Sequence, residues 1–253
     1  MGSIAFVNVS KRFSNGHDAL NEVSTEFAEG SMTFLTGHSG AGKSTFLKLL
    51  LRAEDPTRGR IFVNGVNIGQ IPMRRLPHYR QNLGVVFQDH HLLPNRTVFD
   101  NVAISLHVMG MRDREIGRRV RAALTSVGLL GKEGLLPRNL STGEQQRVGI
   151  ARAVVTRPKI LLADEPTGNL DPDLSKHIIE LFFQFNQVGT TVIVVSHDLA
   201  LIESMNMRTL HLADGHIVSD KPAQMAADEQ LRDSVIDVDM NPSSAPFTSR
   251  SIS

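Results

Sequence analysis

At 253 residues, 41% of them hydrophobic, the chain suits one large soluble domain, or one domain with a lobe inserted in it. A formal charge of +1 offers no general attraction to nucleic acid or an anionic membrane, and the lack of cysteine excludes disulfides and thiolate metal sites. No apolar run approaches the roughly eighteen residues of a membrane span. The opening MGSIAFVNVS lacks the basic start of a signal peptide and has Phe6 where a myristoylation signal wants Ser or Thr, so a cytoplasmic protein is expected.

Residues 4–9 alternate as a strand does, and 19–27 predict a second. Residues 32–36 are a short apolar run entering the glycine-containing segment 37–45, and 45–51 read as a helix. Residues 60–63, the Asn64-Gly65 turn and 66–68 predict a hairpin, which completes an antiparallel N-terminal β subdomain. Residues 84–87 are another strand. Between 97 and 130 the chain turns helical, with Ile116, Val120, Leu124 and Val127 at helical spacing among Arg112, Arg114, Arg118, Arg119 and Arg121. This predicts an inserted helical subdomain over about 97–150. Strands at 159–163 and 191–195 then alternate with helices at 174–188 and 199–205, the pattern of a mostly parallel α/β sheet covered by helices. A last pair, 209–212 and 216–219, is joined at Asp214-Gly215. The domain is expected to end near residue 220, and 221–253, with its Ser- and Pro-rich end, is expected to be a flexible extension. The arginines of 112–121 fit either a solvated helix face or a nucleic-acid surface. No aromatics are interleaved to stack bases, so no nucleic-acid partner is expected.

Gly37-His38-Ser39-Gly40-Ala41-Gly42-Lys43-Ser44, followed by Thr45, matches G-x-x-x-x-G-K-[ST] in full. Glycines let backbone N–H groups turn inward around phosphate oxygens at a helix start. Lys43 is expected to reach the β and γ phosphates of ATP, and the Ser44 hydroxyl to hold Mg²⁺. A second half-site follows from the apolar strand at 160–163, which delivers Asp164 and Glu165 to its C-terminal edge. Asp164 is expected to bind the metal through water, and Glu165 to accept a proton from the attacking water or orient it. Ser141 and Glu144 form S-x-x-E, a capping box opening a helix over 143–155.

The segment Asn139-Leu140-Ser141-Thr142-Gly143-Glu144-Gln145-Gln146-Arg147 resembles the signature of ABC-transporter ATP-binding cassettes, usually written LSGGQ. In family order, Gln88 falls at the Q-loop glutamine, Gly168-Asn169-Leu170-Asp171 at the D-loop and His197 at the switch histidine. Phe13 sits where the family stacks an aromatic on adenine, although it could equally be a core aromatic. The motifs span roughly residues 4–219 and imply a P-loop NTPase fold of the ABC type.

The resemblance implies an ATPase whose two copies close head to tail around two ATP molecules. Each site would take Lys43, Ser44, Gln88, Asp164, Glu165 and His197 from one subunit and Ser141 and Gly143 from the other, with Asp171 at the junction; Gln88 would also reach the metal. One departure is Thr142, a β-branched residue in place of the signature's first glycine. Nucleotide binding is expected to persist, with turnover the step affected.

GHSGAGKST, FQDHHLL, TVFDNVAI and EQQRVGIARAVV are similar to the cell-division branch of the family, with lipoprotein-release and efflux cassettes as near relatives. That branch implies a permease-type membrane partner and a place on the cytoplasmic membrane face. His90 and His91, being adjacent, do not form the i, i+4 pair of a helical metal site. By resemblance, His90 to Leu93 face the membrane partner, with Leu92 and Leu93 as exposed anchors; ordinary loop packing is the other reading. DNA-repair or chromosome-organising ATPases with a related head are disfavoured, because residues 46–139 sustain no heptads.

Overall fold

The structure, a computed structural model, describes residues 3–168 and 170–223. In chain order its strands are β1 (Ile4–Arg12), β2 (Asp18–Phe27), β3 (Met32–Thr36), β4 (Arg58–Val63), β5 (Val66–Asn67), β6 (Leu83–Val86), β7 (Ile160–Asp164), β8 (Thr191–Val195), β9 (Arg208–Ala213) and β10 (His216–Lys221). The helices are α1 (Lys43–Leu50), α2 (Leu76–Arg80), α3 (Val98–Val108), α4 (Asp113–Ser126), α5 (Thr142–Val154), α6 (Pro172–Gln187) and α7 (Leu199–Ser204). The extension expected to be flexible lies outside the described residues from residue 224 onward.

A four-stranded antiparallel sheet in the order β2-β1-β4-β5 packs with a six-stranded sheet in the order β10-β9-β3-β8-β7-β6. In the larger sheet β9, β3, β8, β7 and β6 run parallel, and β10 pairs antiparallel with β9. The non-sequential order follows from helical crossovers, which parallel neighbours require.

Strand alternation separates two hydrophobic cores. On one face Phe34, Leu161, Ala163, Val192 and Val194 meet α3, α4, α5 and α6. On the other, Leu35, Ile160, Leu162, Ile193 and Val195 meet α1 and the antiparallel sheet. Phe46 of α1 anchors this second core, stacked on Phe6 at 4.1 Å and edge-on to Phe27 at 6.0 Å. Burial on both faces explains why β3 and β8 are mostly apolar along their whole length.

Between β6 and β7 the chain forms α3, α4 and α5. Thr97 caps α3 by accepting from the Asp100 N–H (3.1 Å), and the Asp100 carboxylate accepts from the Thr97 N–H in return. On α4, Ile116, Val120 and Leu124 are buried while Arg112, Arg114, Arg118 and Arg121 are exposed and Arg119 pairs with Glu115 at 2.8 Å. Among the described residues no helix is long and apolar enough to cross a membrane.

Candidate nucleotide site

The glycine loop joins β3 to α1 at the C-terminal edge of the parallel sheet, where open α/β sheets bind ligands. Two glycines admit no substitute on this backbone. Gly42 is the N-cap of α1 with φ 107°, and a Cβ there would lie 2.3 Å from the Ala19 carbonyl oxygen. At Gly37, φ 148°, a Cβ would meet the Leu212 carbonyl oxygen at 2.1 Å. The Lys43 ammonium donates to the carbonyls of Gly37 (2.7 Å) and His38 (3.0 Å), which holds it across the loop mouth. His38 also lies 3.4 Å from the Asp214 carboxylate, linking the loop to the β9–β10 turn.

Strand β7 delivers its two acids differently. Asp164 is partly buried, and its Oδ1 is buried with no hydrogen-bond partner. Burial pushes the Asp164 carboxyl above its ordinary range; the Ser44 hydroxyl opposes this, the neighbouring Glu165 adds to it, and Lys43 and Lys48 oppose it. A hydroxyl beside a desolvated carboxylate oxygen in want of a partner is the oxygen donor set that Mg²⁺ takes, so these residues fit the ion.

Glu165 has φ 46°, a left-handed conformation that typically costs a non-glycine residue about 1–3 kcal/mol and that clusters at functional sites. Its N–H donates to the Val195 carbonyl (3.0 Å) and its own carbonyl accepts from Gly168 (3.2 Å), which fix the turn. Its carboxylate lies 2.7 Å from Nδ1 of His197, which follows β8. Glu165 is 14% exposed and His197 68%, so the imidazole stands at the open side of a largely sheltered carboxylate.

Apart from Asp164, which does not wall it, these groups share one cleft of about 660 Å³, walled by Phe13, Gly37, His38, Ser39, Gly40, Gly42, Lys43, Ser44, Thr45, Gln88, Glu165 and His197. Ala41 is buried beneath the loop. Three cleft residues had no assignment from sequence: His17, Ala19 and Lys48. Lys48 lies one helical turn after Ser44 on α1, a spacing that could have flagged it. His17 sits in an exposed turn, where no periodicity points at it.

Ser141, Gly143 and Asp171 are not among the residues walling the cleft. Ser141 caps α5 through a complete capping box: its Oγ accepts from the Glu144 N–H (3.3 Å), and the Glu144 carboxylate accepts from the Ser141 N–H (2.8 Å). Lys132 pairs with the same carboxylate and, as the largest influence, holds Glu144 below its ordinary range. The helix begins at Thr142, one residue earlier than expected, and Thr142 is exposed with no left-handed strain. Gly143 is buried against α6, where a Cβ would lie 2.1 Å from Leu174 Cδ2. Asp171 caps that same helix by accepting from the Leu174 N–H at 3.0 Å. Asn169, between them in the D-loop, lies outside the described residues.

Beyond Gln88 the chain crosses to α5. Arg152 donates to the carbonyls of His90 (2.7 Å) and His91 (2.8 Å), and Asn101 braces Leu93 by accepting from its N–H at 2.7 Å. Leu93 is exposed. Leu92 is not the exposed anchor expected: it packs half-buried against the core. Phe87, Ile104, Val108 and Met109 are the exposed apolar side chains here, around a groove of about 590 Å³.

Comparison with known proteins agrees with this geometry. Residues 20–168 match the model of the ABC transporter family. The chain is 53% identical over 214 residues to the cell division ATP-binding protein FtsE of Escherichia coli (strain K12), covering 85% of this chain and 96% of that protein. It is 47% identical over 219 residues to FtsE of Mycobacterium tuberculosis (strain ATCC 25618 / H37Rv), covering 86% and 95%. Among solved structures, the ATP-binding cassette MJ0796, a dimer in a post-hydrolysis state bound to ADP and Pi, superposes with a TM-score of 0.81 at 31% identity, covering 88% of this chain and all of that one. The chain therefore belongs to the ABC transporter family, as an ATP-binding subunit of the FtsE cell-division type.

Proposed function

We propose that the protein hydrolyses ATP in a head-to-tail homodimer and uses the cycle to drive an FtsX-like, permease-type membrane protein that controls septal cell-wall hydrolysis. The observation that carries this reading is the single cleft uniting Lys43, Ser44, Gln88, Glu165 and His197, with Glu165 in a strained turn and bonded to His197. Lys43 and the loop N–H groups bind the phosphates, and Phe13 stacks on adenine. Ser44, Gln88 and Asp164 would hold Mg²⁺, which would supply charge neutralisation at the β and γ phosphates. Glu165 takes a proton from the attacking water, and His197 orients Glu165.

Ser141 and Gly143 are assigned to the nucleotide of the neighbouring subunit, with Asp171 at the junction. Residues 1–220 form the ATPase domain in this reading, with the helical subdomain at about 97–150. The apolar groove around Phe87, Ile104, Val108 and Met109 seats the membrane partner and keeps the protein at the cytoplasmic membrane face. ATP favours the closed dimer, hydrolysis loosens it, and the partner senses the difference.

The test has two parts. Purified full-length protein should release phosphate from ATP in a Mg²⁺-dependent manner. ATP-locked protein should then retain an FtsX-like membrane protein from solubilised membranes, and lose it when Val108 is changed to Asp. Absence of phosphate release, alone and with the partner, refutes the enzyme; retention of an unrelated permease refutes the cell-division partner.

A further inference from the structure

We infer that His17 is the second wall of the base slot, so that adenine lies between the His17 and Phe13 rings instead of stacking on Phe13 alone. The inference rests on the ATP reading of the cleft. The two rings are parallel within 5°, with centroids 6.5 Å apart. Phe6 and Phe46 show what a filled stack looks like in this protein, with centroids 4.1 Å apart. A planar base between two rings needs two carbon contacts of about 3.5 Å, hence roughly 7 Å. The centroid separation of the Phe13–His17 pair is close to that spacing, and both residues wall the cleft that holds Lys43 and Ser44.

The turn between them keeps the pair in place. Phe13 N–H donates to the His17 carbonyl (2.9 Å) and Gly16 N–H to the Phe13 carbonyl (3.0 Å), while His17 N–H donates to Asn15 Oδ1 (3.1 Å). Lys11 sits 5.0 Å from the Phe13 ring centroid and is itself tied to Glu54 (2.7 Å) and the Asp55 carbonyl (2.9 Å), which steadies the Phe13 side. His17 is exposed, so its ring can shift the remaining half ångström at little cost. A histidine wall contributes stacking area against the face of the base.

The test uses ADP, which is not turned over, and pyrophosphate, which lacks the base, as calorimetric probes of the full chain. His17→Ala should weaken ADP binding roughly two- to tenfold, the size of one aromatic pair, and leave pyrophosphate binding unchanged. His17→Phe should restore it. If His17→Ala binds ADP as wild type while Phe13→Ala is weakened, the second wall is refuted and the ATP site stands. If neither variant is weakened, adenine lies against neither ring and the second wall is refuted, whereas wild-type protein that binds neither ADP nor pyrophosphate refutes the ATP reading of the cleft itself. Equal loss for ADP and pyrophosphate, or no rescue by His17→Phe, also overturns the stacking role.

Discussion

Glu165→Gln isolates a single property, the ability to accept a proton. The substitution keeps the shape of the side chain, the Glu165 N–H bond to Val195 at 3.0 Å, and an amide oxygen able to accept from His197 across the 2.7 Å contact. The phosphate loop is untouched, because Lys43 is held by the Gly37 and His38 carbonyls and not by Glu165. ADP affinity and melting temperature should therefore stay at wild-type values. Turnover should fall about 10²- to 10⁴-fold, the usual worth of a positioned general base, or roughly 3–5 kcal/mol on the barrier.

Steady-state phosphate release from Mg²⁺-ATP measures the loss, and sedimentation should show the variant accumulating as an ATP-dependent dimer. In the proposed mechanism His197 acts through Glu165, so adding His197→Ala to Glu165→Gln should cost far less than the product of the single effects. A Glu165→Gln protein that binds nucleotide normally and turns over within about tenfold of wild type refutes the assignment of Glu165 as base.

Ser141→Arg should lose the α5 cap, worth about 1 kcal/mol, and still bind ADP as a monomer, but form no dimer with ATP in sedimentation; a normal ATP dimer would sink the shared-site arrangement. Asp164→Asn removes a desolvated charge whose Oδ1 has no partner, so the nucleotide-free protein should melt a few degrees higher while Mg²⁺-dependent hydrolysis is lost; a lower melting temperature would contradict the burial argument. Arg208 grips Asp220 through two bonds of 2.9 and 2.7 Å and holds its carboxyl below the ordinary range. A depressed carboxylate pKa stabilises the fold above the unfolded value, about 3.9, and that contribution disappears as pH falls through the folded value. Asp220→Asn should thus lower Tm slightly at neutral pH, where the half-exposed pair is worth little, and the gap from wild type should close in acid.

What could be read from the chain depended on how each element is stabilised. Strands β3 and β8 match their predicted bounds because burial on both faces selects short, mostly apolar runs. The Ser141–Glu144 cap was legible because its two hydrogen bonds are local. Strand β1 runs to Arg12, past the predicted end at residue 9, because Ser10, Lys11 and Arg12 pair by backbone with β2 and β4 across register shifts that break the alternation. Helix α2, Leu76–Arg80, escaped detection because five residues cannot display a helical period. The burial of Leu92 escaped for another reason: it depends on a core assembled from several strands and helices, most of them distant in sequence. Likewise His17 owes its place in the cleft to a turn geometry that composition cannot show.

The fit of Gly143 against Leu174, with Asp171 capping the helix that carries Leu174, makes the signature and D-loop one mechanical part. A graft of either segment alone from another cassette would import one half of a matched surface. Substitutions at 143 and 174 should therefore be tolerated in pairs more readily than singly. Designers who wish to weaken the signature without disturbing the D-loop have Thr142 as the accessible position, because it is exposed and its helical backbone is unstrained.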